Sequence, residues 1–350
     1  MKKTFVIVFL MVMATGTFAQ TAPMDWQIGD PVVNSARASA LGHAEIFGSL
    51  DGTAMFINPA WMADTHDLNV EVGVASVFGS VPFDDPVFEN SGYEVKYKGS
   101  LQPEYAVASM PLRIHGFPLS LAVGVGLWTM HRPGWDTETT WGNDATGFSD
   151  ILTYDGTVQM AGPGVAADLF DMIYVGITAG TTIGNTITVK DEFNDPVGTS
   201  WEETSYVPDF QVATLSAVLR PNKNFKLGAM LRPAYEMTFT DVQYKMSETD
   251  FTDNLANSIV SMPATMGASV ALTSADQMIE LLGEYQTRKF SEVTYGTEGY
   301  AQTGVNLDDG SALRLGLQLG ALQAGYYIEN IAMPEDPMDH ISDDPVISNH

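Results

Sequence analysis

The stretch Ala312-Leu313-Arg314-Leu315-Gly316-Leu317-Gln318-Leu319-Gly320-Ala321 carries an apolar residue at every second position and small or polar residues between them. A period of two puts Leu313, Leu315, Leu317, Leu319 and Ala321 on one face of an extended strand, whereas a helix would mix the two sets. The alternation recurs in Leu119, Leu121, Val123, Val125 and Leu127 against Ser120, Ala122, Gly124, Gly126 and Trp128. It recurs again in Ile173, Val175, Ile177 and Ala179 against Tyr174, Gly176, Thr178 and Gly180. Val70, Val72 and Val74 oppose Glu71, Gly73 and Ala75, and Phe225, Leu227, Ala229 and Leu231 oppose Lys226, Gly228, Met230 and Arg232. Glycine and alanine favour the second face. Small residues there let strands curve and leave lumen volume, whereas a packed sandwich core fills its buried face with large side chains.

Composition points the same way. The 350 residues are 45% hydrophobic and only 17% charged, with a mean hydropathy of +0.01. Beyond the first residues no apolar run reaches the length of a helical span. A transmembrane β-barrel reconciles the two, because its strands alternate lipid-facing apolar residues with small or polar lumen-facing ones. The net charge of −27 concentrates at 84–94, 136–155, 190–203, 236–253 and 335–344, which read as the longer loops. Segments 220–224 and 273–277 read as tight connections, so short turns stand at one end and long loops at the other. Trp128, Trp135, Tyr285, Tyr326 and Tyr327 lie near strand ends or in late strands, as an interfacial girdle requires. So acidic a surface repels nucleic acid, and no basic patch offsets it.

The start of the chain reads as an export signal. Met1-Lys2-Lys3 precedes an apolar run from Thr4 to Met13 and the small-residue site Thr17-Phe18-Ala19, which predicts a cleaved leader over 1–19. There is no cysteine, so disulfides, thiolate metal sites and a lipid-modified cysteine are excluded. The six histidines fall in no metal-ligand spacing and no serine sits in a nucleophile elbow, so neither catalysis, a metal nor a cofactor is expected. About eleven candidate strands follow an N-terminal segment, giving a plug segment at 20–66 and one barrel at 67–350.

The N-terminal segment carries a family likeness. Ser35-Ala36-Arg37-Ala38-Ser39-Ala40-Leu41-Gly42-His43-Ala44, followed by Asp51-Gly52-Thr53-Ala54-Met55-Phe56-Ile57-Asn58-Pro59-Ala60, resembles the N-terminal signature of the FadL/TodX superfamily of outer-membrane proteins, which includes the PorV/PorQ branch. A second glycine common after Gly42 is His43 here. The resemblance implies an all-β, antiparallel transmembrane barrel of fourteen strands in the cell outer membrane, with an N-terminal hatch formed by Arg37, Gly42, Asp51, Asn58, Pro59 and Ala60. It also implies passive uptake of hydrophobic compounds such as long-chain fatty acids, by lumen binding, hatch movement and lateral release. The alternative from the same likeness is a PorV-like barrel that docks secreted proteins in type IX secretion. Partners are then membrane lipid and a hydrophobic small molecule, or secreted proteins.

The signature has its own physics. Ala36, Ala38, Ala40, Gly42 and Ala44 form a small-residue stretch suited to a narrow lumen, and Pro59 biases Asn58 away from helix. Arg37 and Asp51 are candidates to pair with lumen charges such as Glu71, Glu280 or Glu284, since an ion inside a barrel needs a partner; Arg314 is a further lumen charge. An odd strand count does not close a single-chain barrel, and the chain stops at the polar Ser348-Asn349-His350. The expectation is therefore that about three more strands, on the order of forty to sixty residues, lie beyond His350.

Overall fold

The computed structural model describes residues 36–48, 51–64, 66–75, 78–84, 92–98, 102–113, 119–131, 137–143, 148–195, 198–246, 249–254, 256–304 and 309–330. The leader expected at 1–19, Trp135, the acidic stretch 335–344 and the terminal 348–350 lie outside the described residues.

Among the described residues, eleven of the 21 strands pair in succession to form the antiparallel wall, and the others extend it as ribbons. The eleven are β1 (Asn69–Ala75), β2 (Gln102–Arg113), β3 (Leu119–His131), β4 (Val158–Leu169), β5 (Ile173–Ile183) and β6 (Gly198–Asn222). Then follow β7 (Phe225–Arg232), β8 (Thr265–Thr273), β9 (Ile279–Arg288), β10 (Gly310–Leu319) and β11 (Leu322–Asn330). Each pairs with the next in chain order. Among the described residues no ladder joins β11 to β1, so the sheet is not closed there.

Tight turns link the strands at one end. Phe170 and Asp171 take φ of 64° and 57° between β4 and β5, and Gly320 takes 59° between β10 and β11. Lys223 and Asn224 close the β6–β7 hairpin, in which Asn222 pairs with Phe225. At the other end the described parts of the acidic stretches 136–155, 190–203 and 236–253, expected as loops, are instead extended β-ribbons. Ile187–Asp195 pairs with the first part of β6 and with Phe148–Asp155, and Tyr235–Met246 pairs with β6 and with Thr249–Asn254. The reason lies in what separates the acids: Thr188, Val189, Phe193, Trp201 and Tyr244 are strand formers interspersed among them. Lys190 opposes Glu203 while Asp191 opposes Glu202, so one cross-strand charge pair is favourable and the next is not. Lys190 also donates to Glu192 at 2.8 Å, which holds that carboxyl below the ordinary carboxylate range.

The two faces of the sheet differ as the period-two reading requires. Val70, Val72, Val125, Ile177, Leu215 and Leu315 are exposed, while Ala122, Ala166, Tyr174, Val218, Ala271 and Ala312 are buried on the opposite face. In water an aliphatic belt of this extent would be a large association surface; in a bilayer it is the lipid-facing wall. Among the described residues no helix is long and apolar enough to cross a membrane.

Candidate functional site

Residues 36–48 and 51–64 fill the concave side of this sheet. They form α1 (Ala36–Ala40), α2 (Glu45–Gly48), α3 (Ala54–Ile57) and a 3-10 helix over Pro59–Asp64. Pieces this short are not stable helices alone, so burial must hold them. Leu41, Ile46, Phe47, Met55, Phe56, Ala60 and Met62 are all buried.

The segment reaches every one of the eleven strands, and it does so largely over glycines. A Cβ on Gly126 of β3 would meet Phe56 at 2.6 Å, and one on Gly164 of β4 would meet Met55. A Cβ on Gly176 of β5 would stand 2.3 Å from the Ala60 nitrogen. On β7 and β8, Gly228 and Gly267 lie under Ile46; on β10, Gly316 lies under Leu41. On β11 a Cβ at Gly325 would stand 1.9 Å from the Gly42 nitrogen. The remaining strands contribute side chains. Glu71 of β1 accepts from Gly52 N–H, Val107 of β2 packs on Gly52, and Ser216 of β6 accepts from Ala60 N–H at 2.8 Å. Glu280 and Glu284 of β9 take the charged contacts.

Two ion clusters fix the segment. Arg37 donates to Glu280 at 2.5 Å, to Gln318 at 3.1 Å, and to the Phe47 and Gly48 carbonyls. Lys226 reaches the other Glu280 oxygen at 3.4 Å and lies 5.1 Å from the Trp61 ring centre. In the second cluster Glu284, with no exposed side-chain surface, accepts from Arg314 at 2.9 Å, Ile46 N–H at 2.7 Å and Gln286 at 2.9 Å. Arg314 also meets Glu45 at 3.6 Å. Within these two clusters three cations face three carboxylates, so charge balances there, as buried ions require.

The other signature residues have local tasks. Asp51 closes the turn into α3: its Oδ1 accepts from the Thr53 amide at 3.0 Å and from the Thr53 hydroxyl. Its sign is that of Glu71, which instead accepts from Tyr105 hydroxyl at 2.6 Å. Asn58 ends α3 and donates to the Ile46 carbonyl at 2.6 Å, tying the two halves of the segment together. Pro59 then starts the 3-10 turn. Gly42 has φ of +69° and a Cβ there would hit the Tyr326 backbone at 2.5 Å. His43, where the resembled families commonly carry glycine, has φ of +56° and sets its ring edge-on to Tyr327 at 5.3 Å.

Two features escaped the sequence reading. Arg220, read only as part of a hairpin, pairs with Asp64 at 3.0 Å and lies 4.8 Å from the Tyr174 ring centre, anchoring the segment's far end. Beyond the segment, toward the ribbons, the inner face is apolar: Met130, Met160, Phe210, Met237 and Met262 are buried in one cluster, against which Tyr206 and Phe239 pack with centroids 5.1 Å apart. Met130, Met160 and Phe210 lie within the expected strands and in phase with the inner faces of β3, β4 and β6, so extending the period-two register along each strand would have found them.

Neither a family model nor a curated protein sequence matches the chain. Solved structures do. The toluene transporter TbuX of Ralstonia pickettii aligns over 87% of this chain and 87% of its own, at 12% identity and a TM-score of 0.53. A FadL homologue of Pseudomonas aeruginosa aligns over 87% of this chain and 81% of its own, at 12% identity and a TM-score of 0.56. The chain therefore has the fold of the FadL-type outer-membrane barrels.

Proposed function

We propose that this chain is an exported outer-membrane barrel that takes up hydrophobic compounds passively, with residues 20–66 as hatch and 1–19 as leader. The observation that carries this is the Met- and aromatic-lined inner surface around Met160, Phe210 and Met237, which stands in a strongly acidic chain that otherwise has no reason to keep an apolar face inside. An apolar ligand gains about 25 cal/mol per Å² on leaving water for such a surface. Methionine suits ligands of varied shape because its side chain is flexible and polarizable. That TbuX, one of the two structures with this fold, is a toluene transporter supports the same class. Within it we favour long-chain fatty acids, with ligand entering from the ribbon end, displacing the Arg37-to-Asp64 segment and leaving sideways into lipid. No chemical step is involved and no cofactor is needed.

The test is ligand binding by the purified full chain in detergent, followed by fluorescence displacement. A long-chain fatty acid and toluene are each titrated against wild type and against Met237→Glu. Saturable binding weakened at least about tenfold by the buried charge is expected. Absence of saturable binding to either probe, with secreted proteins captured instead, would favour the docking role.

A further inference from the structure

The outward, lipid-facing wall has a recess. Large side chains form one row across four strands, with Val165 paired to Ile177, Ile177 to Leu215, and Leu215 to Leu231, all exposed. Two residues further toward the ribbons the row becomes small: Ala179 pairs with Ala213, and Pro163 lies on the same face of β4. The next row is Ala161 paired to Thr181 and Thr181 to Gln211. The wall steps inward there and leaves a recess of about 450 Å³, closed on its side by Pro233, Ala234 and Tyr235. Its position follows from the backbone. The β6–β7 ladder ends at Leu215 with Leu231, and pairing resumes only at Phe210 with Met237, so the strands part where Pro233 has no N–H to offer.

We infer that this recess binds one acyl chain of a bilayer lipid whose headgroup carries an ammonium. The inference rests on the outward face being the lipid face, not on the uptake reading. The recess is continuous with the aliphatic belt, so an acyl chain is what surrounds it, and an unfilled hollow would forfeit the packing contacts of its lining. The Val165–Ile177–Leu215 row is a ledge against which the chain end rests. Polarity enters only at the ribbon side, through Thr181 and Gln211, which hydrogen-bond, and the outward Asp209 and Glu236 beyond them. Among the described residues no lysine or arginine pairs with Asp209 or Glu236, and two carboxylates favour an ammonium over an anionic headgroup.

The experiment uses the full chain in nanodiscs of equal parts phosphatidylethanolamine and phosphatidylglycerol, with a trace of phosphatidylethanolamine bearing a photoactivatable acyl chain, and maps adducts by peptide mass spectrometry. Adducts concentrated on 161–163, 179–181 and 211–213 are expected, lost in Ala179→Leu/Ala213→Leu and competed by phosphatidylethanolamine but not by phosphatidylglycerol. The wild-type map alone is decisive should the double variant fail to insert. Labelling spread evenly around the belt, or unchanged by the filling substitutions, would overturn the site. Equal competition by phosphatidylglycerol would overturn the headgroup, and adducts chiefly on the inward Phe210 and Met237 would make the parting a passage rather than a seat.

Discussion

Glu284→Ala is the substitution that most directly tests how the N-terminal segment is held. Glu284 is buried and accepts three hydrogen bonds, from Arg314, Ile46 N–H and Gln286. Its removal takes from the Arg314 guanidinium its nearer carboxylate of the two, the other being Glu45 at 3.6 Å. Breaking one half of a buried ion pair costs about 3–5 kcal/mol. An amide left without its acceptor costs about 1–3 kcal/mol more, though the two overlap and do not simply add. Taking about 3 kcal/mol as the local loss, amide exchange in the segment should accelerate by roughly a hundredfold. The assay is hydrogen exchange by mass spectrometry on peptides covering 44–58 in detergent micelles, with peptides from β4 and β5 as internal reference. Glu284→Leu combined with Arg314→Met removes both charges and keeps volume, so it should recover most of the protection, because a buried pair replaced by packed apolar groups is often neutral. Exchange unchanged in Glu284→Ala, or a double variant as loose as the single one, would refute the view that this cluster anchors the segment.

Gly325→Ala should loosen the same segment from the opposite side, since the new Cβ would lie 1.9 Å from Gly42 N, at a cost of about 1–3 kcal/mol. Faster proteolysis within 36–64 reports it, and Gly283→Ala, whose nearest contact is 3.5 Å away, should be silent. Leu315→Arg on the lipid face should destabilise the inserted chain by about 2–4 kcal/mol in urea titrations from vesicles; a loss below the error of the titration would argue against lipid there. In the β8–β9 turn, Asp276 accepts from the Ser274 hydroxyl and Met278 N–H, which depresses its carboxyl. Its contribution is therefore present above the unfolded value near about 4 and lost as pH falls through the lower folded value. Exchange of the Met278 amide should rise over that acidic window in wild type and show no such titration in Asp276→Asn.

The strand faces were legible because a period of two has only two phases: once Leu313, Leu315 and Leu317 share a side, Arg314 and Gly316 must share the other. The eleven strands followed from the same pattern. The ribbons did not, because charge was read as a loop marker where threonines and aromatics between the acids decide the backbone. At the site, Arg37, Glu280 and Glu284 stood out as ions needing partners, yet which pairs with which depends on register between residues 243 apart. Asp64 with Arg220 gave no sign in the sequence, since each is an ordinary charge beside a strand end. The inner glycines were read as room left in the lumen; Gly124, Gly126, Gly176, Gly228 and Gly316 are instead seats for side chains or backbone of residues 36–64, while Gly73 and Gly180 seat Tyr105 and Trp128 of other strands.

That seating has a kinetic consequence. Residues 36–64 emerge first from synthesis, but their hydrogen-bond and ionic partners include side chains as late as Gln318, 281 positions downstream of Arg37. Contacts of such separation form slowly, because loop closure precedes any gain from them. The segment must therefore wait, unsatisfied, until β9 and β10 have been laid down, and the sheet must curve around a guest that cannot settle earlier. Insertion should accordingly have a late phase in which the Trp61 environment changes after strand content has stopped rising, and that phase should be slowed by substitutions in β9 and β10 more than by any in β3 or β4.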